Sequence, residues 1–243
     1  MTAVTSNKRE NKIRRVAEDS KTAIFQIPEL LYQDLNNIVL CVDFHYVNLV
    51  AVFHYISIKV DYITVSFPLS QSKKSILSTL REIYKIYNAK GLKIVELHSD
   101  KKFEKAETDL LPVILRICGV DKHVPKIERS VQIQKNKNRA VCSAMPYKCI
   151  PHVMIRELVK QVDEYLNYFG PKYSVLDGLS PRNIIDHLPH VDYNNLKYEF
   201  GKYVQVHVTQ KVKNTMKSRT IGAIVLSPRQ IQVQYNYMSL ETV

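Results

Sequence analysis

Residues 37–57 read NIVLCVDFHYVNLVAVFHYIS, a stretch of β-branched and aromatic residues broken by a short polar joint. Together with DYITVSF at 61–67, this composition predicts a three-stranded meander over residues 38–67. Asp43 lies on the first strand, between two apolar residues. An unpaired carboxylate in so apolar a strand is unfavourable unless a metal ion or another partner compensates it. Asp43 is therefore the first candidate metal ligand.

The next segments predict a helix and then a buried strand that ends at a second acidic residue. SQSKKSILSTLREIYKIYNAKG at 70–91 places its apolar side chains on one stripe and stops at a glycine. LKIVELHS at 92–99 predicts a fourth strand, and Asp100 follows it at the end where open α/β sheets bind ligands. Asp100 could instead cap the next turn. Pro112 limits residues 103–118 to a short helical turn and a fifth strand around VILRIC.

A third acidic residue lies on a polar, basic helix that is predicted to begin near Pro125. Glu128, Gln132, Lys135 and Arg139 share one face at helical spacing. Apolar side chains on the other face predict packing on the sheet: Ile127, Val131, Val141 and Cys142. A carboxylate in line with two cations could direct a metal ligand and phosphate contacts at one substrate. The alternatives are a solvated carboxylate at Glu128 and a solvated basic face.

The second half of the chain predicts one more helix and a change of structure. Residues 151–169 have helical apolar spacing, and three short strand-like runs separated by polar loops follow from about residue 190. We therefore divide the chain into a basic flexible arm at 1–22, a core at 23–190 and a small β module at 191–243. Four cations of the β module either contact phosphates or serve solubility: Lys211, Lys213, Lys217 and Arg219.

Composition favours a polyanionic partner. The chain has 243 residues, 35 Lys and Arg against 23 Asp and Glu, and a formal net charge of +12. Such a surplus favours binding to nucleic acid through counterion release. No apolar run approaches the ~18 residues of a membrane span and no secretory signal is evident, which predicts a soluble intracellular protein without membrane contact. The four cysteines form no C-x-x-C pair, so no zinc site is expected.

From Tyr32 to its end, the chain resembles the integrase of copia-type long-terminal-repeat retrotransposons, particularly the divergent branch of diatoms and related protists. The resemblance rests on LCVDFHYVN, SDKKFE, HVPKIER, SPRNII, YEFGKYVQVH and SRTIGAI. It implies an α/β fold, namely an RNase H-like mixed five-stranded sheet flanked by helices, followed by a small C-terminal β module. In that family the first strand, the end of the fourth strand and a following helix each supply one acidic metal ligand. Those positions match Asp43, Asp100 and Glu128.

The resemblance also implies an activity and partners. Two Mg²⁺ or Mn²⁺ ions would support 3′-end processing and strand transfer on double-stranded DNA, the element ends and the target. A homo-oligomer is expected, in the nucleus if the element is eukaryotic. Lys101 and Lys102 depart from the family pattern, because they follow the second aspartate where polar or acidic residues are usual. The alternatives are a catalytically inactive, transposon-derived DNA-binding remnant and an RNase H-type nuclease.

Overall fold

The main sheet has the strand order of an RNase H-like fold. The computed structural model describes residues 35–110, 112–118, 125–169, 178–207, 216, 218–228 and 235–241. The strands of this sheet are β1 Asn37–Val47, β2 Val50–Ser57, β3 Ile63–Ser66, β4 Lys93–Ser99 and β5 Ile114–Ile117. Their order is β3-β2-β1-β4-β5, with β1, β2 and β3 antiparallel and β4 and β5 parallel to β1. The predicted meander and mixed five-stranded sheet are confirmed.

Helices flank both faces of this sheet. The described α-helices are α1 Lys73–Ala89, α2 Pro125–Ala144, α3 His152–Tyr168 and α4 Pro181–Asp186, with 3₁₀ helices at Lys101–Asp109 and Tyr193–Asn195. The short helix α4 was not predicted from the sequence. Its Ser180 hydroxyl accepts a hydrogen bond from the Asn183 backbone and the Asn183 side chain bonds back to the Ser180 backbone, which forms a capping box.

Side chains along β1 alternate between the two faces of the sheet, and this alternation orients the candidate site. Leu40, Val42 and Phe44 join the apolar core beneath α1. The Phe44 ring stacks on Phe53 at 4.7 Å and on Phe103 at 5.5 Å between centroids. Because successive strand residues point to opposite faces, Asp43 and its odd-numbered neighbours face α2 instead.

A buried polar cluster joins the sheet to α2 and α3. The His54 Nε2 atom lies 2.8 Å from the Ser130 hydroxyl, and the Gln134 amide donates to His54 Nδ1 at 3.2 Å and to Asp163 Oδ1 at 2.7 Å. Since Nδ1 accepts, neutral His54 carries its proton on Nε2 and donates to Ser130. Burial lowers the pKa of His54 to about 3 and raises the pKa of Asp163 well above its usual value. His54 is therefore held in its neutral form.

The edge strand β3 is covered by a side chain of α3. The Ile63 backbone N–H donates to Asn167 Oδ1 at 2.8 Å, and Asn167 Nδ2 donates to the Ile63 carbonyl at 2.7 Å. Asn167 is buried. One amide therefore satisfies both outward-facing backbone groups of Ile63, which an edge strand otherwise leaves unpaired.

The C-terminal strands form the predicted β module. Strands β6 Tyr203–His207, β7 Thr220–Pro228 and β8 Tyr235–Ser239 make an antiparallel sheet in the order β6-β7-β8. Met154 and Leu158 of α3 share an apolar cluster with Leu226 of β7. Val141 and Cys142 pack against this cluster, so the prediction that they contact the main sheet was wrong. They lie near the C-terminal end of α2.

The predictions of a basic arm and of no membrane span remain to be compared with the structure. The basic arm, residues 1–22, lies outside the described residues. Within the described part of the chain, no helix combines the length and the apolar character needed to cross a membrane.

Asn167→Leu should lower the free energy of unfolding by about 2–4 kcal/mol, because the Ile63 N–H and C=O would be buried without partners. Urea unfolding followed by circular dichroism measures this change. Asn88→Leu, at an exposed position of α1, is the control and should change stability by less than about 0.5 kcal/mol. Equal stability losses in the two variants would contradict the role given to Asn167.

Candidate active site

Asp43 is a half-buried carboxylate on the central strand of the main sheet. Its Oδ1 atom accepts a hydrogen bond from the Phe44 backbone N–H at 2.6 Å. Burial raises the pKa of Asp43 above its usual value, and this backbone hydrogen bond opposes the rise. The negative charges of Asp100 and Glu128 raise the pKa further, whereas Lys102 lowers it. The three predicted acidic residues are therefore close enough for their charges to interact at Asp43.

Asp100 follows β4 on the strand next to β1. Cys41 pairs with His98 in the parallel register, so continuing that register by two residues puts Asp100 beside Asp43. Its Oδ1 atom accepts a hydrogen bond from the Lys102 backbone at 3.1 Å, and its Oδ2 atom lies 3.3 Å from Lys102 Nζ. Asp100 thus caps the 3₁₀ helix Lys101–Asp109, which was the alternative interpretation of this residue. Lys102 neutralises the same carboxylate.

Glu128 lies in the first turn of α2 and shares a cleft with Asp43. The cleft has a volume of about 620 Å³ and lies between the end of β1 and α2. Its polar lining includes Asp43, His45, Glu128, Gln132, Lys135 and Arg139. All three DNA-binding residues predicted on α2 therefore line the cleft that holds two of the predicted carboxylates.

Charge changes sign along this cleft. Glu128 and Lys135 are two helical turns apart, which corresponds to ~10 Å at 1.5 Å per residue. Arg139 lies a further turn along α2, and its Nη1 atom donates to Asn136 Oδ1 at 2.8 Å. A phosphate chain in the cleft could therefore reach carboxylates at one end and cations at the other.

The carboxylates are of a type that binds a divalent cation, but only two of the three predicted ligands line the cleft. Mg²⁺ takes carboxylate oxygens as ligands, and Asp43 and Glu128 offer them in one cleft. Asp100 is not among the residues that line that cleft. Among the residues that the structure describes, no three His, Cys, Asp or Glu side chains are arranged to hold one metal ion together. The cap and the Lys102 ion pair keep the Asp100 carboxylate engaged elsewhere.

The predicted basic loop of the β module is described only in part. Arg219 is exposed just before β7. Lys211, Lys213 and Lys217 lie outside the described residues.

One polar residue of the cleft, His45, was not predicted from the sequence. This side chain is 6% exposed and lies on the same face of β1 as Asp43. Burial and the nearby charge of Lys135 lower the pKa of His45 to about 4, and the adjacent Gln134 side chain opposes this shift. Its place in the cleft could have been predicted from its spacing to Asp43, because residues i and i+2 of a strand lie on the same face.

Comparisons with known proteins return matches among solved structures. No family model matches the sequence, and no curated protein matches it. The BIV integrase catalytic core domain is 14% identical with a TM-score of 0.45, and the match covers 61% of this chain and 93% of that chain. The dimeric form of the HTLV-2 integrase catalytic core domain, in complex with magnesium, is 16% identical with a TM-score of 0.44, covering 64% and 98%. The trimeric form is 15% identical with a TM-score of 0.42, covering 62% and 97%.

Asp43→Asn should stabilise the fold at pH 7 by up to about 1 kcal/mol, because Asn keeps the Phe44 hydrogen bond and cannot ionise. The folded protein holds the Asp43 proton more tightly than the unfolded chain does. Native stability therefore falls as the pH rises above the unfolded pKa, and the advantage of Asn should shrink as the pH is lowered towards 4.

Thermal unfolding at several pH values measures this difference, with Glu104→Gln as the control at an exposed carboxylate. Destabilisation by Asp43→Asn at pH 7 would show that the carboxylate makes favourable contacts in the fold.

Proposed function

We propose that the chain is an integrase-like protein, related to the copia-type retrotransposon integrases, that binds double-stranded DNA and performs metal-dependent 3′-end processing and strand transfer. The proposal includes Mg²⁺ or Mn²⁺ as cofactor, with Asp43, Asp100 and Glu128 as its ligands. We further propose that the chain is divided into an arm at 1–22, a core at 23–190 and a β module at 191–243. We propose that it forms a homo-oligomer and, if the element is eukaryotic, that it is located in the nucleus.

One observation carries this proposal: Asp43 and Glu128 line one cleft together with Gln132, Lys135 and Arg139. Ordinary solvated charges on a helix would not be expected to line up with a half-buried carboxylate of a central strand. The raised pKa of Asp43 agrees with a functional role, because perturbed groups in clefts mark candidate sites. DNA is the substrate that suits a cleft with cations at one end and metal-binding carboxylates at the other.

The side chains have distinct tasks in this proposal. Lys135 and Arg139 bind phosphates and fix the position of the strand, so that one phosphodiester lies at the carboxylate end. Asp43 stays rigid because its strand is paired on both sides and its Oδ1 atom is held by the Phe44 N–H. A bound divalent metal would supply charge stabilisation for the reacting phosphoryl oxygens. Asp100 would become a metal ligand if its carboxylate left the ion pair with Lys102.

A second candidate is a DNA-binding remnant without catalysis. The Lys102 ion pair and the helix cap occupy both oxygens of Asp100. A chain that had lost metal binding could keep this ion pair while its cleft and its basic face survived. The two functions differ in whether Asp100 can be recruited by a metal.

Binding to a short duplex should weaken steeply with salt. Each phosphate contact contributes about 0.9 to the log–log slope, so Lys135→Gln/Arg139→Gln should reduce the slope by about 2. The control, Lys74→Gln/Lys85→Gln, removes the same charge from exposed positions of α1 on the opposite face of the sheet and should leave the slope nearly unchanged. Fluorescence anisotropy between about 50 and 200 mM salt gives both slopes. Equal slopes for the two double variants would remove the cleft from DNA binding.

With Mn²⁺ or Mg²⁺, the purified protein should nick supercoiled DNA or join DNA ends. Asp100→Asn should abolish this activity while salt-sensitive DNA binding persists, because a ligand is lost but the basic surface is kept. Lys102→Met should lower the Mn²⁺ concentration required, since Asp100 no longer has a competing ammonium. Lys101→Met is the matched control.

The outcomes separate the two candidates. DNA binding without metal-dependent cleavage, in both the native protein and Lys102→Met, would favour the remnant. Cleavage that persists in Asp100→Asn would mean that the carboxylate assignment is wrong.

A further inference from the structure

The tip of the β1–β2 hairpin carries a leucine in a backbone conformation that disfavours it. Asn48 and Leu49 join the two strands, and their φ angles are 44° and 67°. A two-residue turn with positive φ at both positions is of type I′, which favours Asn first and Gly second. Asn48 fits this preference. Leu49 does not, because its Cβ atom crowds the backbone in the left-handed region.

The fold gains little packing from Leu49 in return. Its side chain is 87% exposed. The other non-glycine residues with positive φ in the described part of the chain are Asn48, Asp61 and His187, which are of types that tolerate this conformation. Leu49 is the one apolar residue among them. Backbone strain that the packing does not compensate indicates a role outside the fold.

The hairpin holds this leucine in a fixed place. β1 and β2 are paired up to Val47 and Val50, the residues that flank the turn. Val47 packs against the buried apolar cluster that contains Val50. The Tyr46 hydroxyl accepts a hydrogen bond from Gln71 Nε2 at 2.9 Å, which ties the hairpin to the segment before α1. The Leu49 side chain therefore projects from a rigid support and can contact a ligand at little cost in entropy.

The turn lies beyond the cation end of the cleft. The charge of Glu128 acts on Asp43, whereas the charge of Lys135 acts on His45, two residues further along β1. α2 and β1 therefore run in the same direction along the cleft. Arg139 comes next on α2, and the turn comes next on β1.

We propose that Leu49 is an apolar wedge that inserts at a base step of the DNA whose backbone is bound by Lys135 and Arg139. Leu49 lies ~20 Å along the hairpin from Asp43, which corresponds to about six base pairs at ~3.4 Å each. The contact is therefore separate from the reacting phosphodiester. The inference rests on the proposed function and deepens it, because it adds a contact with bases to a cleft that otherwise binds phosphates.

Duplex DNA is the partner that fits this arrangement. The cations next to the turn would hold the DNA backbone against the protein. Several classes of DNA-binding protein insert leucine or a similar apolar side chain between base steps, and the inserted side chain bends the duplex. A leucine at the exposed end of a rigid hairpin has the size and the reach for that contact. Such a contact accounts for a residue that the turn itself disfavours.

Binding and stability should change in opposite directions when the leucine is removed. Leu49→Gly suits the turn and should raise Tm by about 2–4 °C. It should weaken anisotropy-measured binding of a short duplex by about tenfold, because an apolar contact is lost. The slope of affinity against salt should stay the same, because the phosphate contacts are kept. Leu49→Met keeps an apolar side chain and should retain most of the affinity.

Leu69→Asn is the matched control for Leu49→Asn. Leu69 is 98% exposed, lies outside the hairpin and does not have a positive φ. Leu49→Asn should lose affinity as Leu49→Gly does, since Asn also tolerates the turn. Leu69→Asn should bind like the native protein. Equal losses at the two positions would show that any exposed leucine promotes binding, and would overturn the proposal.

A second measurement reports on the base step directly. The duplex carries a fluorescent adenine analogue that brightens when it is unstacked. The native protein should raise its fluorescence on binding, and Leu49→Gly at saturating concentration should not, because the wedge that separates the bases is absent. An equal rise with both proteins, or no rise with the native protein, would contradict insertion.

The results also separate this proposal from the proposed function. If the native protein binds the duplex with the slope expected for Lys135 and Arg139 but Leu49→Gly binds equally well, the inference fails and the proposed function stands. If Leu49→Asn without DNA sediments as a smaller species than the native protein, Leu49 contacts a second copy of the chain and the inference fails. If the native protein binds no duplex, both proposals fail.

Discussion

The candidate site depends on one buried polar cluster, in which His54 of β2 donates a hydrogen bond to Ser130 of α2 and accepts one from Gln134 of α2. Ser130 and Gln134 are one turn apart, so together they fix the face of α2 that meets the sheet. Turning the helix by one residue would rotate it by about 100° and leave His54 buried without partners, at a cost of about 1–3 kcal/mol for each group. Such a polar contact favours a single arrangement where apolar packing alone would tolerate several. The same contact keeps Glu128 and Lys135 at the cleft.

The sequence predicted the parts of this structure that follow from periodicity. The β-branched and aromatic composition of residues 37–57 is sufficient for the meander, and the acidic-to-basic order along α2 follows from helical spacing. The partners of individual side chains were harder, because they depend on contacts between distant segments. Asp100 had two interpretations, and only the three-dimensional positions of Lys102 and of the 3₁₀ helix showed that it is a cap.

Other features were missed for related reasons. Helix α4 is six residues long, too short for a periodic pattern, although Ser180-Pro181 is a recognisable start signal. The apolar residues Val141 and Cys142 carry no mark of which sheet they face. His45 and His54 look alike in sequence, since each is a histidine in an apolar strand, yet His54 is hydrogen-bonded to Ser130 and Gln134, whereas His45 lines the cleft.

The amide of Asn167 has a consequence for how the sheet meets other molecules. A second polypeptide that added a strand beside β3 would have to take over the hydrogen bonds at Ile63. The amide that now makes them is tethered to α3 and therefore competes at a high effective concentration, which an incoming chain in dilute solution does not reach. Intermolecular strand addition is thus disfavoured at this edge, and the central sheet is protected there from the aggregation to which open edges are prone.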